Sequence, residues 1–254
     1  MNPTGMNPYG QIDTAYGDSR FVRLKSVFNL RDLGGLSGID GRKVRTGLVY
    51  RSDQFGNAND ADIAHLVDDL GLRTVVDFRR PTEIAATGSF PERPEVAVHH
   101  LELLHIRWEA IERDATTEES PVPFLVERYT AMIESGAVAI RRCLELMCDT
   151  TPLVFHCMAG KDRTGITAAI TLKLLGVADA DIAADYALTT EGMARYHAWR
   201  LLKGLETANW GLLPDPDAML GLLANIDRYF GGVEAYARAI GFTRIDDLRA
   251  HLLT

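Results

Sequence analysis

Residues 156–165 read HCMAGKDRTG, and they are the part of the chain whose types and spacing best support a chemical reaction. Five residues separate Cys157 from Arg163, and a hydroxyl residue, Thr164, directly follows the arginine. A cysteine thiolate is a nucleophile, and the planar guanidinium of arginine can bind two oxygens of a phosphate group at once. The spacing therefore predicts a site that holds and attacks phosphate esters.

The segments on either side of this stretch predict how it is held. Residues 152–155 are a short apolar run typical of a strand, and residues 166–175 have good helix character. A loop that runs from a strand into a helix N-terminus points several backbone N–H groups at one spot and binds anions. The thiolate of Cys157 would be favoured at the base of such a loop, although a lone cysteine at a strand end can also be a buried, inert thiol.

The other residues of the loop also have expected roles in binding phosphate or shaping the loop. The backbone amides of residues 158–163 would hold the equatorial phosphate oxygens through the transition state, and Gly160 permits a tight turn. Thr164 could donate a hydrogen bond to the thiolate or cap the following helix. His156 could orient the loop through hydrogen bonds or be purely structural. The residues expected to contact substrate are Met158, Ala159, Gly160, Lys161 and Thr164.

This loop resembles the C-x5-R loop of the cysteine-dependent phosphatases. Its form HCxxGKDRTG resembles a bacterial subgroup that acts on phosphotyrosine and, in some members, on phosphoinositides. A second likeness lies in residues 28–35 (FNLRDLGG) and 47–52 (GLVYRS), and the order of elements matches from about residue 22 onward. The resemblance implies hydrolysis through a cysteinyl-phosphate intermediate on Cys157, with no metal ion or other cofactor.

The resemblance also assigns the general acid, the group that protonates the leaving oxygen. In the similar subgroup an aspartate at the position of Asp162 has this role, and the chain contains no Trp-Pro-Asp string of the kind that carries the acid in many cysteine phosphatases. Asp162 could instead brace the loop or form an ion pair with Arg163. Asp77, at the end of a predicted strand, is the second candidate, although it could pair with a nearby arginine such as Arg79.

Lys161 and the adjacent pair Arg31 and Asp32 could support the site. The resemblance links Lys161 to inositol headgroups, as a second cation facing the ligand, whereas a lysine of this kind is often merely solvated at the surface. Arg31 and Asp32 carry opposite charges, and we expect them to form an ion pair that anchors the early loop to the site.

Composition limits the class of protein. With 254 residues, 46% of them hydrophobic and 24% charged, the chain is expected to be a soluble globular protein with a sizeable core. A net charge of −8 argues against nucleic acid as a partner, since its capture needs a basic surface. Three cysteines make no disulfide framework, so Cys143 and Cys148 are expected to pack as unreactive thiols.

The sequence also carries expectations about location. No N-terminal segment has the charged, apolar and cleavage regions of a Sec signal, and no apolar run reaches the roughly 18 residues of a membrane span. We therefore expect no stable membrane insertion, and either a cytoplasmic protein or one secreted without a Sec-type signal peptide. The oligomeric state is left open by the sequence.

Alternating strand and helix patterns predict an α/β fold with a central, mostly parallel sheet flanked by helices. Strands are predicted at residues 44–51, 72–78 and 96–101, with an amphipathic helix over residues 59–70. Residues 1–20 are polar and rich in Gly, Pro and Asn, which predicts a flexible arm before a single phosphatase domain, 21–254.

The C-terminal part of the chain is predicted to be helical. A helical stretch over residues 124–147 is interrupted near Gly136, and after the loop no further strong strand pattern appears. The later helices are predicted at residues 179–188, 190–206, 216–230, 232–240 and 244–252. The resemblance implies a cysteine-phosphatase fold in which some of this helical region forms a lid over the site.

The function predicted from these residues is hydrolysis of phosphotyrosine in proteins, with phosphoinositides as a second substrate class. An alternative enzyme is a phosphatase for small metabolites such as inositol polyphosphates or nucleotides. A module that binds phosphate without turnover, or a rhodanese-like sulfurtransferase, would also place a cysteine in such a loop. The Lys-Asp-Arg-Thr run favours phosphate chemistry over sulfur transfer.

Overall fold

The computed structural model describes residues 18–104, 120–206 and 212–254, and its centre is a five-stranded sheet. The strands are β1 (Arg31–Asp32), β2 (Val49–Ser52), β3 (Thr74–Asp77), β4 (Ala97–His100) and β5 (Leu153–His156). They lie in the order β1-β2-β5-β3-β4, and all neighbours are parallel except β1, which runs antiparallel to β2. The predicted α/β fold with a mostly parallel sheet is confirmed.

Strands β2, β3 and β5 are buried along their whole length, as expected for parallel strands covered by helices on both faces. Side chains alternate between the faces, so Val154 lies in one hydrophobic cluster and the adjacent Phe155 in another. Ser52, Asp77 and His156 are in register, so the carboxyl ends of three parallel strands meet at one edge. Ligands of open α/β sheets bind beyond this edge.

Helices cover both faces of the sheet. They are α1 (Asp60–Ala64), α2 (Pro81–Thr87), α3 (Val122–Ser135), α4 (Ala137–Asp149), α5 (Asp162–Leu174), α6 (Asp179–Ala187), α7 (Thr189–Leu202), α8 (Pro216–Phe230), α9 (Val233–Ala239) and α10 (Ile245–Leu252). The predicted break near Gly136 is confirmed, because α3 ends and α4 begins on either side of it. Within the described ranges, no helix is both long and apolar enough to cross a membrane.

Some predicted boundaries differ from the structure. The strand predicted from residue 44 begins only at Val49, because Gly47 has a φ of 78° that interrupts the extended chain. Val44 instead makes a single bridge to Leu253. The predicted arm lies outside the described residues except for its last three, where the Arg20 side chain is bound to Asp185 at 3.0 Å.

A buried ion cluster connects β1, β2 and α6. Asp185 of α6 accepts hydrogen bonds from Nε of Arg31 at 3.2 Å and from Nη1 of Arg51 at 2.6 Å. All three side chains are almost wholly buried. Burial alone would raise the pKa of Asp185, but the charges of Arg31 and Arg51 outweigh burial and hold the pKa below its ordinary value. One carboxylate thus binds arginines from two strands.

The predicted ion pair between Arg31 and Asp32 is wrong. Neighbouring residues of a strand point to opposite faces of the sheet, so the two side chains diverge. Arg31 reaches Asp185, whereas Asp32 accepts hydrogen bonds from the backbone N–H groups of Gly34 at 2.7 Å and Gly47 at 2.6 Å. Asp32 therefore fixes the turn that connects β1 to β2.

Replacing Asp185 with alanine should lower the free energy of unfolding by about 3–5 kcal/mol, because Arg31 and Arg51 would be left buried without a counter-charge. Urea denaturation measures the change as a lower midpoint with an unchanged slope. Asp179→Ala is the matched control, since Asp179 pairs with Lys173 where both side chains are partly exposed, and it should cost less than about 1 kcal/mol. Equal losses in the two variants would contradict the prediction.

Candidate active site

The phosphate loop, residues 157–161, connects β5 to α5 at the carboxyl edge of the sheet. The predicted order of strand, loop and helix is therefore present. The helix begins at Asp162 rather than at residue 166, so Asp162, Arg163 and Thr164 all lie in its first turn. A carboxylate in the first turn is favoured by the helix dipole. Cys157 is buried, with 3% of its surface exposed, at the start of the loop.

The carbonyl groups of loop residues 158–160 are all held from outside the loop. Their donors are the backbone N–H of Gln54, Nδ2 of Asn29 and Nη2 of Arg51, at 3.0, 2.9 and 2.7 Å respectively. A trans peptide unit is planar and points its N–H away from its C=O. The N–H groups of residues 159–161 are therefore turned away from these partners, toward the inner side of the loop.

Gly160 is required by the path of the loop. Its φ is 66°, in the left-handed region that other residues rarely adopt. A Cβ at this position would lie 2.5 Å from the backbone oxygen of Ser52 and 2.7 Å from Nδ2 of Asn29. The loop therefore lies directly against the end of β2, and any side chain here would push it away.

Arg163 is buried, and its fork is held by Glu83 in the first turn of α2. Nη1 lies 2.6 Å from Oε2 of Glu83 and Nη2 lies 2.8 Å from Oε1. Burial lowers the pKa of Arg163, but the hydrogen bonds to Glu83 and the nearby negative charges of Cys157, Glu83 and Asp162 together outweigh burial and raise the pKa above its usual range. Nε of Arg163 is buried and has no hydrogen-bond partner among the described residues. That donor is available to an anion.

Asp162 faces α3 and α6. Tyr129 of α3 donates a hydrogen bond from Oη to Oδ1 of Asp162 at 2.5 Å, and Tyr129 in turn lies 2.6 Å from the hydroxyl of Tyr186. Nζ of Lys161 lies 3.7 Å from Oδ2 of Asp162. The two carboxyl oxygens therefore have different surroundings, one bound by a tyrosine and the other near a cation.

Lys161 is not a solvated surface lysine, so that alternative is wrong. Its side chain is 1% exposed, and Nζ donates a hydrogen bond to the backbone oxygen of Leu212 at 2.6 Å. Leu212 precedes α8, so Lys161 ties the phosphate loop to the chain that connects α7 with α8. The ammonium group lies inside the protein beside the first turn of α5.

Thr164 does not cap α5, because the helix begins two residues earlier and Lys161 occupies the N-cap position. Its Oγ1 is buried and makes no hydrogen bond within the described residues. The role of an N-cap hydroxyl is therefore wrong. A hydrogen bond from Thr164 to the thiolate during the reaction stays a prediction.

His156 and Asp77 lie side by side at the ends of β5 and β3. Nδ1 of His156 is 3.1 Å from the backbone oxygen of Cys157, and Nε2 is 3.7 Å from Oδ2 of Asp77. Burial lowers the pKa of His156 to about 4, so the ring is neutral at pH 7. Asp77 binds Arg79 through Nη2 at 2.5 Å and Nε at 2.9 Å. Burial raises the pKa of Asp77, but Arg79 outweighs burial and the pKa is lowered, which disfavours Asp77 as the proton donor.

Several residues of the site are missed by the sequence analysis, namely Asn29, Arg51, Glu83, Tyr129, Asp185 and Tyr186. Glu83 carries one local signal, because proline at the first helix position and glutamate at the third are typical of a helix start. That signal predicts the helix but not the arginine that Glu83 binds. The other residues come close to the loop only through the packing of the fold.

The stability of the protein should depend on pH through His156. Because the pKa of His156 is about 4 in the folded chain and 6.5 for an ordinary histidine, the unfolded chain binds the proton first as the pH falls. The neutral ring of His156 thus makes its full contribution to the free energy of unfolding above pH 6.5. This contribution is lost as the pH falls toward 4, a change of about 3 kcal/mol. Urea denaturation measures the difference in free energy of unfolding between the wild type and His156→Gln. We expect this difference to change by about 3 kcal/mol between pH 7 and pH 4. A difference that stays constant with pH would show that the ring is not held neutral.

Known proteins are similar to this chain over most of its length. A family model described as "Tyrosine phosphatase family" matches residues 22–254. A protein of Cupriavidus necator assigned by name as a tyrosine-protein phosphatase is 32% identical over 268 residues, which cover 99% of this chain and 92% of that protein. The triple specificity protein phosphatase PtpB of Mycobacterium tuberculosis is 24% identical over 276 residues, covering 91% of this chain and 98% of that protein.

Among solved structures, the catalytic core of Siw14 matches with a TM-score of 0.38 and 14% sequence identity, covering 73% of this chain and 89% of that chain.

Proposed function

Because the chain belongs to the tyrosine phosphatase family and is a phosphoric monoester hydrolase, we propose that it hydrolyses phosphotyrosine in proteins, with phosphoinositides as a second substrate class. We place it in the subgroup with the HCxxGKDRTG loop. The observation that carries the proposal is the phosphate loop. Cys157 lies at its start, the amides of residues 159–161 turn inward, and Nε of Arg163 has no other partner within the described residues.

The reaction proceeds in two displacements. The thiolate of Cys157 attacks phosphorus, an S–P bond forms, and the P–O bond to the leaving group breaks while Asp162 gives that oxygen a proton. Water then attacks the thiophosphate, Asp162 takes up a proton from the water, and the S–P bond breaks to release phosphate and the thiolate. Thr164 could donate a hydrogen bond to the departing sulfur.

Charge stabilisation comes from groups that are fixed before substrate binds. The inward amides of residues 159–161 would donate hydrogen bonds to the equatorial oxygens as negative charge moves onto them. Glu83 uses one N–H from each Nη of Arg163, and Nη1 also lies 3.4 Å from the backbone oxygen of Phe78, so Nε–H and the second N–H of Nη2 remain for phosphate. The arginine therefore needs no reorientation during the reaction.

We propose that residues 21–254 form a single phosphatase domain, since their described helices pack around one sheet, and the arm over residues 1–20 stays a prediction. We propose that α6 and α7 form part of the lid over the site. Gly192 of α7 lies so close to Asn29 that a Cβ would be 2.8 Å from its side chain, and Asn29 holds the carbonyl of Ala159. Lys161 reaches the chain beyond α7 through the oxygen of Leu212.

Lys161 supports phosphoinositides as the second substrate class. Their headgroups carry phosphates beyond the one that is cleaved, and an ammonium group beside the loop can act as a point charge for them. A relative whose name describes triple specificity supports substrates beyond phosphotyrosine. Phosphotyrosine presents one phosphate on an apolar ring and should depend less on this second cation.

Cys157→Ser should lower turnover of a phosphotyrosyl peptide by more than about 10³-fold, because the hydroxyl is a weak nucleophile at its own pKa. Binding of the same peptide, measured by calorimetry, should change little, since the loop amides and Arg163 remain. The native enzyme should be inhibited by vanadate and should need a thiol reductant but no added metal ion. Turnover that persists in the serine variant would exclude the cysteine mechanism.

Lys161→Ala should lower kcat/KM about tenfold more for a phosphoinositide than for a phosphotyrosyl peptide, and the gap should shrink as ionic strength rises. Lys173→Ala is the matched control, because it removes the same charge at the far end of α5. Free inositol polyphosphates are measured as a third class of substrate. If these are the best substrates, the enzyme is a small-metabolite phosphatase, and equal losses for lipid and peptide would mean that Lys161 only supports the loop.

A further inference from the structure

Two buried tyrosines form a chain of hydrogen bonds that ends on Asp162 in the first turn of α5. Tyr129 of α3 is 0% exposed and Tyr186 of α6 is 1% exposed, and Asp162 is 5% exposed. The hydroxyl of Tyr129 lies 2.5 Å from Oδ1 of Asp162 and 2.6 Å from the hydroxyl of Tyr186. The three polar groups thus form a continuous chain across three helices.

The direction of the hydrogen bonds follows from the number of protons. A tyrosine has one hydroxyl proton, and that of Tyr129 is donated to the carboxyl group of Asp162. Tyr186 must therefore donate to Tyr129. Burial, followed by the charge of Asp162, raises the pKa of both tyrosines well above the usual range, so both remain protonated donors.

The start of helix α5 leaves space for this pair. Gly165, the last residue of the HCMAGKDRTG stretch, lies under the ring of Tyr186, and a Cβ on Gly165 would be 2.9 Å from Cδ2 of that ring. The rings of Tyr186 and Tyr129 pack edge to face, with centroids 6.3 Å apart and an angle of 82°. Packing against α5 therefore fixes the hydroxyl of Tyr186 where it can hold Tyr129.

We propose that Tyr129 is a positioning residue for the general acid, and that Tyr186 holds Tyr129 in place. The inference rests on the proposed function, in which Asp162 is that acid. By holding Oδ1, Tyr129 fixes the orientation of the carboxyl group, and we assign the proton transfer to Oδ2, which lies 3.7 Å from Nζ of Lys161. After the transfer, the same hydrogen bond stabilises the carboxylate that remains. No proton passes through either tyrosine.

Tyr129→Phe tests the proposal through the dependence on leaving group. Protonation matters most when the leaving oxygen is basic, so kcat/KM for phenyl phosphate should fall about tenfold, while kcat/KM for 4-nitrophenyl phosphate should change less than about twofold. The ratio of the two values is independent of the fraction of folded enzyme. An equal loss on both substrates would overturn the proposal.

The same measurement in an Asp162→Asn background tests separately whether Asp162 is the general acid and whether Tyr129 positions it. Asp162→Asn alone should show a larger loss for phenyl phosphate than for 4-nitrophenyl phosphate, and adding Tyr129→Phe should then change the ratio no further. If Asp162→Asn leaves the ratio unchanged, the assignment of the acid is wrong. If Asp162→Asn changes the ratio but Tyr129→Phe does not, only the positioning role is wrong.

Two further phenylalanine variants complete the test. Tyr186→Phe removes the second hydroxyl but leaves Tyr129 able to donate, so the ratio should change in the same direction by a smaller factor. Tyr236→Phe is the matched control, since Tyr236 is equally buried and its hydroxyl binds the backbone oxygen of Ile133. It should leave the ratio unchanged, and a change as large as that of Tyr129→Phe would overturn the proposal.

Discussion

The site depends on one constraint of the peptide unit, which is that N–H and C=O point in opposite directions. A loop that turns its amides inward toward an anion must turn its carbonyls outward, and buried carbonyls need partners. Asn29 and Arg51 supply two of these partners, and Arg51 is itself held by Asp185. The shape of the phosphate loop is therefore set by residues on its outer side.

The buried charges of the site are also held in place by residues around the loop. The chain carries a net charge of −8, yet the site holds the buried cations Lys161 and Arg163. Buried cations are costly unless each is bound, and here a carboxylate or a backbone oxygen binds each of them. Glu83 thus has two effects, because it offsets the cost of burying Arg163 and fixes the direction of its fork.

The sequence predicts the features of the molecule that are determined by residues close together in the chain. Cys157, the loop and the helix that follows it can be read from consecutive residues, and so can the order of strands and helices. The pairing of Arg31 with Asp32 fails because adjacency along a strand separates side chains onto opposite faces. Glu83 and Asp185 could not be predicted as partners of arginines, because each pair is joined only when β2, α2 and α6 pack around the loop.

Helix α6 is connected to the phosphate loop and to the first turn of α5 through two consecutive residues. Asp185 holds Arg51, which binds the carbonyl of Gly160, and Tyr186 holds Tyr129, which binds Asp162. Consecutive residues of a helix are about 100° apart, so they reach different neighbours. A small displacement of α6 would therefore alter both the partner of the Gly160 carbonyl and the surroundings of Asp162.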